Sequence, residues 1–128
     1  MFFDDEENRV ILGLTDCGFQ RHPNIKNYMQ KLYNGKIVSV MYYENMFVFD
    51  YFFKKEMSDD DADVFFPNII KKVDNLKCEL NTNQMGLDFV EGYIIKKYTK
   101  DINTLKLNEL AMTFFELVEE ELKTMNLA

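Results

Sequence analysis

Hydrophobic residues recur along this chain with two different periods, and the change of period predicts where helices and strands lie. Apolar positions three and four residues apart, the spacing of one helix face, fill residues 24–34, 62–76, 83–98 and 108–125. Residues 37–53 are instead rich in β-branched and aromatic side chains, which favour strands. The pattern predicts one α+β domain over residues 1–128, mostly helical, with four to five helices, one β-hairpin and a candidate short third strand at residues 77–80.

The first two segments contain residues that favour the start and the end of a helix. Residues 4–17 open with four acids, which suit a helix N-terminus, and Gly18 fits the left-handed position after a helix. A strand over Arg9 to Leu14 is the alternative for this segment. Pro23 at a first helical position and Asn34-Gly35 as a stop predict a helix from Asn24 to Asn34.

The central segment predicts a β-hairpin. Strands from Ile37 to Tyr43 and from Met46 to Phe53 flank Glu44-Asn45, which fits a two-residue turn. Because side chains alternate along a strand, Phe47, Phe49, Tyr51 and Phe53 are expected on one face.

The C-terminal half predicts three helices. Ser58 with Asp61 resembles a capping box, and Pro67 is expected to divide the next helical pattern, leaving a helix from Pro67 to Leu76. A second helix is expected from about Asn83 to Tyr98, where close packing would explain Gly92. The last begins after an N-cap at Asn108, and its acids are expected to face solvent.

The charge and composition of the chain indicate which partners and which cellular compartment it fits. The net charge of −7 argues against whole-surface attraction to nucleic acid or anionic membranes and permits a basic partner. The acidic N-terminus is unlike a signal peptide, and no apolar run has the length of a membrane span. With Cys17 and Cys78 as free thiols, a cytoplasmic location is expected. Abundant Asn, Lys and Phe with little Ala or Pro are associated with AT-rich genomes, which suggests a viral or phage protein.

No segment has the residues of a known catalytic or metal site. A calcium loop starting at Asp59 would need Gly at its sixth position and Glu at its twelfth, where this chain has Val64 and Ile70. His22, the single histidine, has Asp16 and Cys17 nearby but at no known signature spacing. The sequence therefore predicts no cofactor, no metal and no enzyme activity. An enzyme whose site residues converge only in three dimensions stays open as a third hypothesis.

The leading hypothesis is a non-enzymatic protein-binding module, such as an inhibitor, an immunity protein or a host-interaction protein. Aromatic anchors within a charged rim are typical of protein interfaces. The partner would be another protein, one with a basic surface fitting best, and a homodimer through the same surface is a variant. The candidate contact residues are aromatic residues of the hairpin and acids that follow it: Tyr42, Tyr43, Phe52, Phe53, Asp59, Asp60, Asp61 and Asp63.

The alternative hypothesis is a small DNA-binding regulator with a winged-helix-like order of elements. Between Phe19 and Lys36 there are four basic residues and no acid, so a helix from Asn24 to Asn34 would carry a basic polar face. The residues that would contact DNA are Lys26, Asn27, Gln30 and Lys31.

Overall fold

In a computed structural model, a six-stranded antiparallel sheet carries three α-helices among the described residues, which are 5–53, 56–83, 88–95 and 102–127. The strand order across the sheet is β1-β2-β3-β4-β6-β5. The strands are β1 (Gln20–Arg21), β2 (Tyr28–Tyr33), β3 (Lys36–Tyr43), β4 (Met46–Phe52), β5 (Glu79–Leu80) and β6 (Phe89–Ile95). The helices are α1 (Asp5–Leu12), α2 (Asp59–Val73) and α3 (Thr104–Thr124), with 3-10 turns at Gly13–Cys17 and Asp74–Leu76.

The prediction of a mostly helical domain with one hairpin is wrong, because two predicted helices contain strands. The segment from Asn24 to Asn34 contains β2, which pairs with β3 in full register from Tyr28↔Met41 to Tyr33↔Lys36. Asn34 and Gly35 have φ of 50° and 80°, so they form a two-residue hairpin turn with positive φ at both positions. The apolar residues of this segment follow the helical spacing, and pairing with β3 overrides that local preference.

The predicted helix from Asn83 to Tyr98 contains β6, while residues 84–87 and 96–98 lie outside the described residues. Gly92 is closely packed, as expected, but in a strand: a Cβ there would lie 2.5 Å from Phe114 Cε1 and 2.9 Å from Cys78 Sγ. The missing side chain therefore lets α3 approach the sheet.

Several local predictions are confirmed. The central hairpin is β3 and β4, with Glu44 and Asn45 at positive φ in the turn. The N-terminal segment is helical rather than extended, and Gly18 ends it at φ 94°. A short strand, β5, lies within residues 77–80.

The ends and continuity of the later helices differ from prediction. Pro67 does not divide α2, which runs unbroken from its N-cap Ser58. Because Pro67 has no N–H group, the Asp63 carbonyl loses its helical hydrogen bond. Both residues are exposed, so water can reach this carbonyl. Helix α3 begins earlier than expected, because Asn103, not Asn108, caps it by accepting a hydrogen bond from Lys106 N at 2.8 Å.

The helices pack on one face of the sheet, here called the inner face. Its core residues from the strands are Met29, Val38, Val40, Phe47, Phe49, Tyr51, Val90 and Ile94. The helices contribute further core residues, among them Ile11 from α1, Phe65 and Ile69 from α2, and Phe114 and Phe115 from α3. About half of the aromatic residues of the chain thus lie in one continuous core.

Two glutamates of α3 are buried, against the expectation that its acids face solvent. Glu119 accepts hydrogen bonds from Asn34 Nδ2 at 2.7 Å and from the Tyr51 hydroxyl at 2.9 Å. Glu121 forms an ion pair with Lys72 of α2 at 3.0 Å. Both therefore connect α3 to neighbouring elements, while Glu116 and Glu120 are exposed as predicted.

Candidate protein-binding surface

The second face of the sheet, here called the outer face, is contacted by none of the helices that form the described core. Cross-strand register places its residues, because directly paired side chains share a face. None of its side chains joins the core cluster. Its apolar side chains are Tyr28, Leu32, Ile37, Met41, Tyr43, Met46, Val48, Phe52, Phe89, Tyr93 and Ile95.

Three large apolar side chains of this face, all near the hairpin turns, are open to solvent, whereas Val48 on the central strand β4 is 5% exposed. Leu32 is 72% exposed, Tyr43 52% and Ile37 49%, while Phe52 and Phe89, whose rings lie 5.5 Å apart, are half-buried. An antiparallel sheet with one packed face normally has polar residues on the other. Here both faces are largely apolar, which is typical of a surface that another molecule covers.

A polar row crosses the middle of the outer face. Register aligns Gln20, Gln30, Ser39, Asp50 and Glu91 on five neighbouring strands. The Ser39 hydroxyl donates to Asp50 Oδ2 at 3.5 Å, a long hydrogen bond, and Asn81 Nδ2 donates to Glu91 Oε1 at 3.0 Å. Asp50 is only 6% exposed and Ser39 is fully buried, so the centre of this row is dry.

Asp50 and Glu91 form a carboxyl pair within this row. Asp50 Oδ1 receives no hydrogen bond from an N–H or O–H group of the described residues, and its carboxyl interacts with that of Glu91. Burial, the charge of Glu91 and a hydrogen bond between the two carboxyls raise the pKa of Asp50 to about 8, although Ser39 opposes this rise. The Asp50 carboxyl is therefore mostly protonated at neutral pH.

The four predicted aromatic contact residues do not lie on one surface. Tyr43 and Phe52 lie on the outer face, Tyr43 exposed and Phe52 half-buried. Tyr42 lies on the inner face, where its ring packs 5.2 Å from that of Phe47, and Phe53 is only 8% exposed. Half of the predicted aromatic set thus belongs to the candidate surface.

The predicted acids lie on a different element. Asp59, Asp60 and Asp61 form the first turn of α2, where Asp61 N donates to Ser58 Oγ at 3.1 Å, and Asp63 follows within the helix. Asp59 and Asp63 border an open groove of about 600 Å³ that also contacts Phe66, Pro67 and Ile70. Helix α2 packs against α3 and β5, so the structure does not join these acids to the outer-face strands.

The residues of the DNA-binding alternative lie on no helix, which removes the structural premise of that hypothesis. Lys26 and Asn27 belong to the loop before β2, and Gln30 lies on the outer face. Lys31 points to the inner side, where Nζ donates to the Cys17 carbonyl at 3.0 Å and lies 5.3 Å from the Phe19 ring centroid. The four side chains therefore do not form one basic surface.

His22 has a structural role in the loop before β2. Its Nδ1 accepts hydrogen bonds from the backbone N–H groups of Asn24 and Ile25, both at 3.1 Å, and its ring packs edge-on against Tyr28. The lone pair that a general base would use is therefore occupied. Within the described residues, no group of three or more acidic, Cys or His side chains has a geometry that could hold a metal ion.

The sequence patterns did not indicate Asp50 and Glu91 as site residues. Asp50 appeared only as an interruption in an apolar strand, and Glu91 fell in a segment interpreted as a helix. The alternation of β4, with Phe47, Phe49 and Tyr51 on one face, was the available signal that Asp50 must lie on the opposite face.

Comparison of the chain with protein-family models, with curated proteins and with solved structures gave no match. The assignments as an inhibitor and as a viral or phage protein therefore gain no support, and they are withdrawn. In the described part of the chain, no helix combines the length and the apolar character needed to cross a membrane.

Proposed function

We propose that this chain is a non-enzymatic protein-binding module whose partner covers the outer face of the sheet. The observation that carries the proposal is the apolar character of a face that the described helices leave uncovered. Leu32 on β2, the strand next to the edge strand β1, is 72% exposed. Burial of such side chains contributes roughly 25 cal/mol per Å² of apolar surface removed from water. A partner seated here would gain that free energy without any rearrangement of the core.

The outer face also supplies the kind of side chains that concentrate binding energy. Tyr28, Tyr43, Tyr93, Phe52 and Phe89 are aromatic residues held on paired strands, so little conformational entropy is lost when they are covered. Tyr43 and Phe52 thus keep the partner-binding role expected of them. The acids Asp59, Asp60, Asp61 and Asp63 are retained only as a second contact region for a basic partner.

The test is affinity capture with the full chain and two matched variants. Leu32→Asp places a charge on the outer face, and Leu105→Asp places the same charge at a leucine of α3 that is 74% exposed. Capture from a lysate of the native host, at low and high salt and with nuclease treatment, should yield a discrete protein. We expect Leu32→Asp to lose it and Leu105→Asp to keep it.

Two results would contradict this function. One is a captured protein that both variants retain equally, because the outer face would then not be the contact surface. The other is a signal made only of nucleic acid that disappears at high salt, which would favour the DNA-binding alternative. Light scattering on the purified chain tests the homodimer variant: a dimer that Leu32→Asp converts to monomer would identify the partner as a second copy.

A further inference from the structure

Strand β1 covers only part of its neighbour β2. The two strands pair only as far as Gln20↔Gln30, whereas β2 continues to Tyr33. Gly18, with φ of 94°, turns the chain away from β2 at the point where the next residues would pair. The last residues of β2 therefore have β3 on one side and, within the described residues, no strand on the other.

The main chain of Leu32 faces this open edge. In a hairpin with a two-residue turn, the residues that flank the turn, here Tyr33 and Lys36, exchange hydrogen bonds, and the pattern alternates along both strands. The N–H and C=O groups of Leu32 and Tyr28 therefore point away from β3, and the hydrogen bond from His22 N to Tyr28 O at 2.8 Å shows this direction. In the described part of the chain, neither of these two main-chain groups of Leu32 has a hydrogen-bonding partner.

A mostly apolar groove of about 410 Å³ lies beside this edge. Leu32 and Ile37, which are 72% and 49% exposed, line it, and the other described lining residues are Gly18, Gln20, Gln30 and Lys31. Lys31 Nζ donates to the Cys17 carbonyl at 3.0 Å and takes part in none of the ion pairs found among the described residues. Because an ammonium group has three donors, Lys31 can also bind an anion in the groove.

We propose that the partner binds this edge through an extended segment that pairs with Leu32 and carries an acidic side chain for Lys31. This inference rests on the proposed function and adds the recognition chemistry. A strand added here gives the Leu32 N–H and C=O groups their missing partners. The partner residue opposite Leu32 is apolar, because directly paired side chains share a face. Its neighbour points to the inner side, where its carboxylate meets the Lys31 ammonium.

Local charge favours an acidic segment at this edge, although the chain as a whole is acidic. Residues 19–36 include Arg21, Lys26, Lys31 and Lys36 and no acid, against a net charge of −7 for the whole chain. A basic segment would meet like charge here, whereas an acidic one is attracted. A second copy paired edge to edge through the same strand would bring two Lys31 side chains together. Charge complementarity therefore selects an acidic segment of another protein.

The test uses short random peptides displayed on phage and selected on the immobilised full chain. We expect the selected peptides to share an apolar residue next to an Asp or Glu. For a synthetic copy of such a peptide, affinity should fall about tenfold on Lys31→Gln. It should stay unchanged on Lys71→Gln, which removes the same charge at an exposed position of α2. N-methylation of the peptide residue opposite Leu32 should abolish binding, because that N–H donates to the Leu32 carbonyl.

Matched peptides separate a lost contact from a lost fold. A peptide with its acid replaced by the corresponding amide, Asn or Gln, should bind the wild type and Lys31→Gln with equal affinity. An equal loss of affinity for the acidic and the neutral peptide would show that Lys31 acts only through the fold, which would overturn its contact with a carboxylate.

The outcomes also separate failure of this inference from failure of the proposed function. Peptides whose binding Leu32→Asp abolishes, but that carry no acid or tolerate N-methylation at every position, would overturn the inference and leave the outer face as the binding surface. A selection without enrichment would overturn the inference and leave the proposed function to the capture experiment. Peptides whose binding Leu32→Asp does not change would contradict both.

Discussion

At the scale of single residues, the least favourable group in the fold is Asp50. It lies on a central strand with both neighbours in register, Ser39 on β3 and Glu91 on β6. Neither neighbour supplies a positive charge, and Glu91 adds a negative one. A site that holds a group at a cost in folding free energy is typical of a functional role.

Asp50→Asn is expected to stabilise the isolated protein, and by more at high pH. The pKa of Asp50 is about 8 in the folded protein, against an ordinary value of 3.8. Between pH 3.8 and pH 8, Asp50 therefore binds a proton in the folded protein but not in the unfolded chain. Stability therefore falls as pH rises through this window. The gain from Asp50→Asn should be roughly 3–4 kcal/mol larger at pH 8 than at pH 5, since this interval spans nearly three pH units and each unit corresponds to about 1.4 kcal/mol.

Urea unfolding of the wild type and the variant at several pH values measures this gain. Asp88→Asn is the matched control, because Asp88 is exposed and immediately precedes β6. Its effect should not vary with pH in the same way. Equal stability of Asp50→Asn and wild type at pH 8 would show that Asp50 is not strained by its surroundings.

At the scale of secondary-structure elements, the two hairpins depend on turns with positive φ. Asn34 and Gly35 join β2 to β3, while Glu44 and Asn45 join β3 to β4. The backbone of such turns matches the right-handed twist of the strands. Glycine and asparagine tolerate this conformation best, and Glu44 is the residue least suited to it.

Gly35→Ala is expected to destabilise the protein by about 1 kcal/mol, and Asn45→Gly to be neutral or slightly stabilising. No heavy atom lies within 4 Å of a Cβ built at Gly35, so the loss would come from its φ of 80° and not from a clash. Thermal unfolding of both variants provides the comparison. A stabilising Gly35→Ala would indicate that this turn does not need positive φ.

At the scale of the whole molecule, Glu119 connects three elements. From α3 it accepts hydrogen bonds from Asn34 in the β2–β3 turn and from Tyr51 on β4, and it pairs with Lys123 on its own helix at 3.3 Å. Burial raises the pKa of Glu119, but these three partners outweigh burial and leave it below its ordinary value. One buried side chain thus fixes the position of α3 on the sheet.

Glu119→Ala is expected to cost about 2–4 kcal/mol, because it leaves the buried Tyr51 hydroxyl without its acceptor. Since the pKa of Glu119 is lowered by folding, its contribution is present above the ordinary value of 4.5 and is lost as pH falls through the lower folded value. Urea unfolding at pH 7 and pH 4 measures both effects. Glu120→Ala, at an exposed position of the same helix, should change stability by less than about 0.5 kcal/mol.

The sequence by itself determined the elements whose signals are local. The β3–β4 hairpin, the Gly18 end of the N-terminal segment and the Ser58 cap of α2 follow from turn, capping and dihedral preferences of a few neighbouring residues. The aromatic side chains of β4 were likewise assigned to one face, because strand alternation is a property of the backbone alone.

Only the tertiary structure decided for strands in two segments whose apolar spacing favoured a helix. Residues 28–33 and 89–95 became strands because β3 and β4 offer them hydrogen-bonding partners, and these contacts lie far away in sequence. The same pairing placed Asp50 beside Glu91 and left an apolar outer face. The candidate site therefore could not be predicted from sequence, because it consists of residues that only cross-strand register brings together.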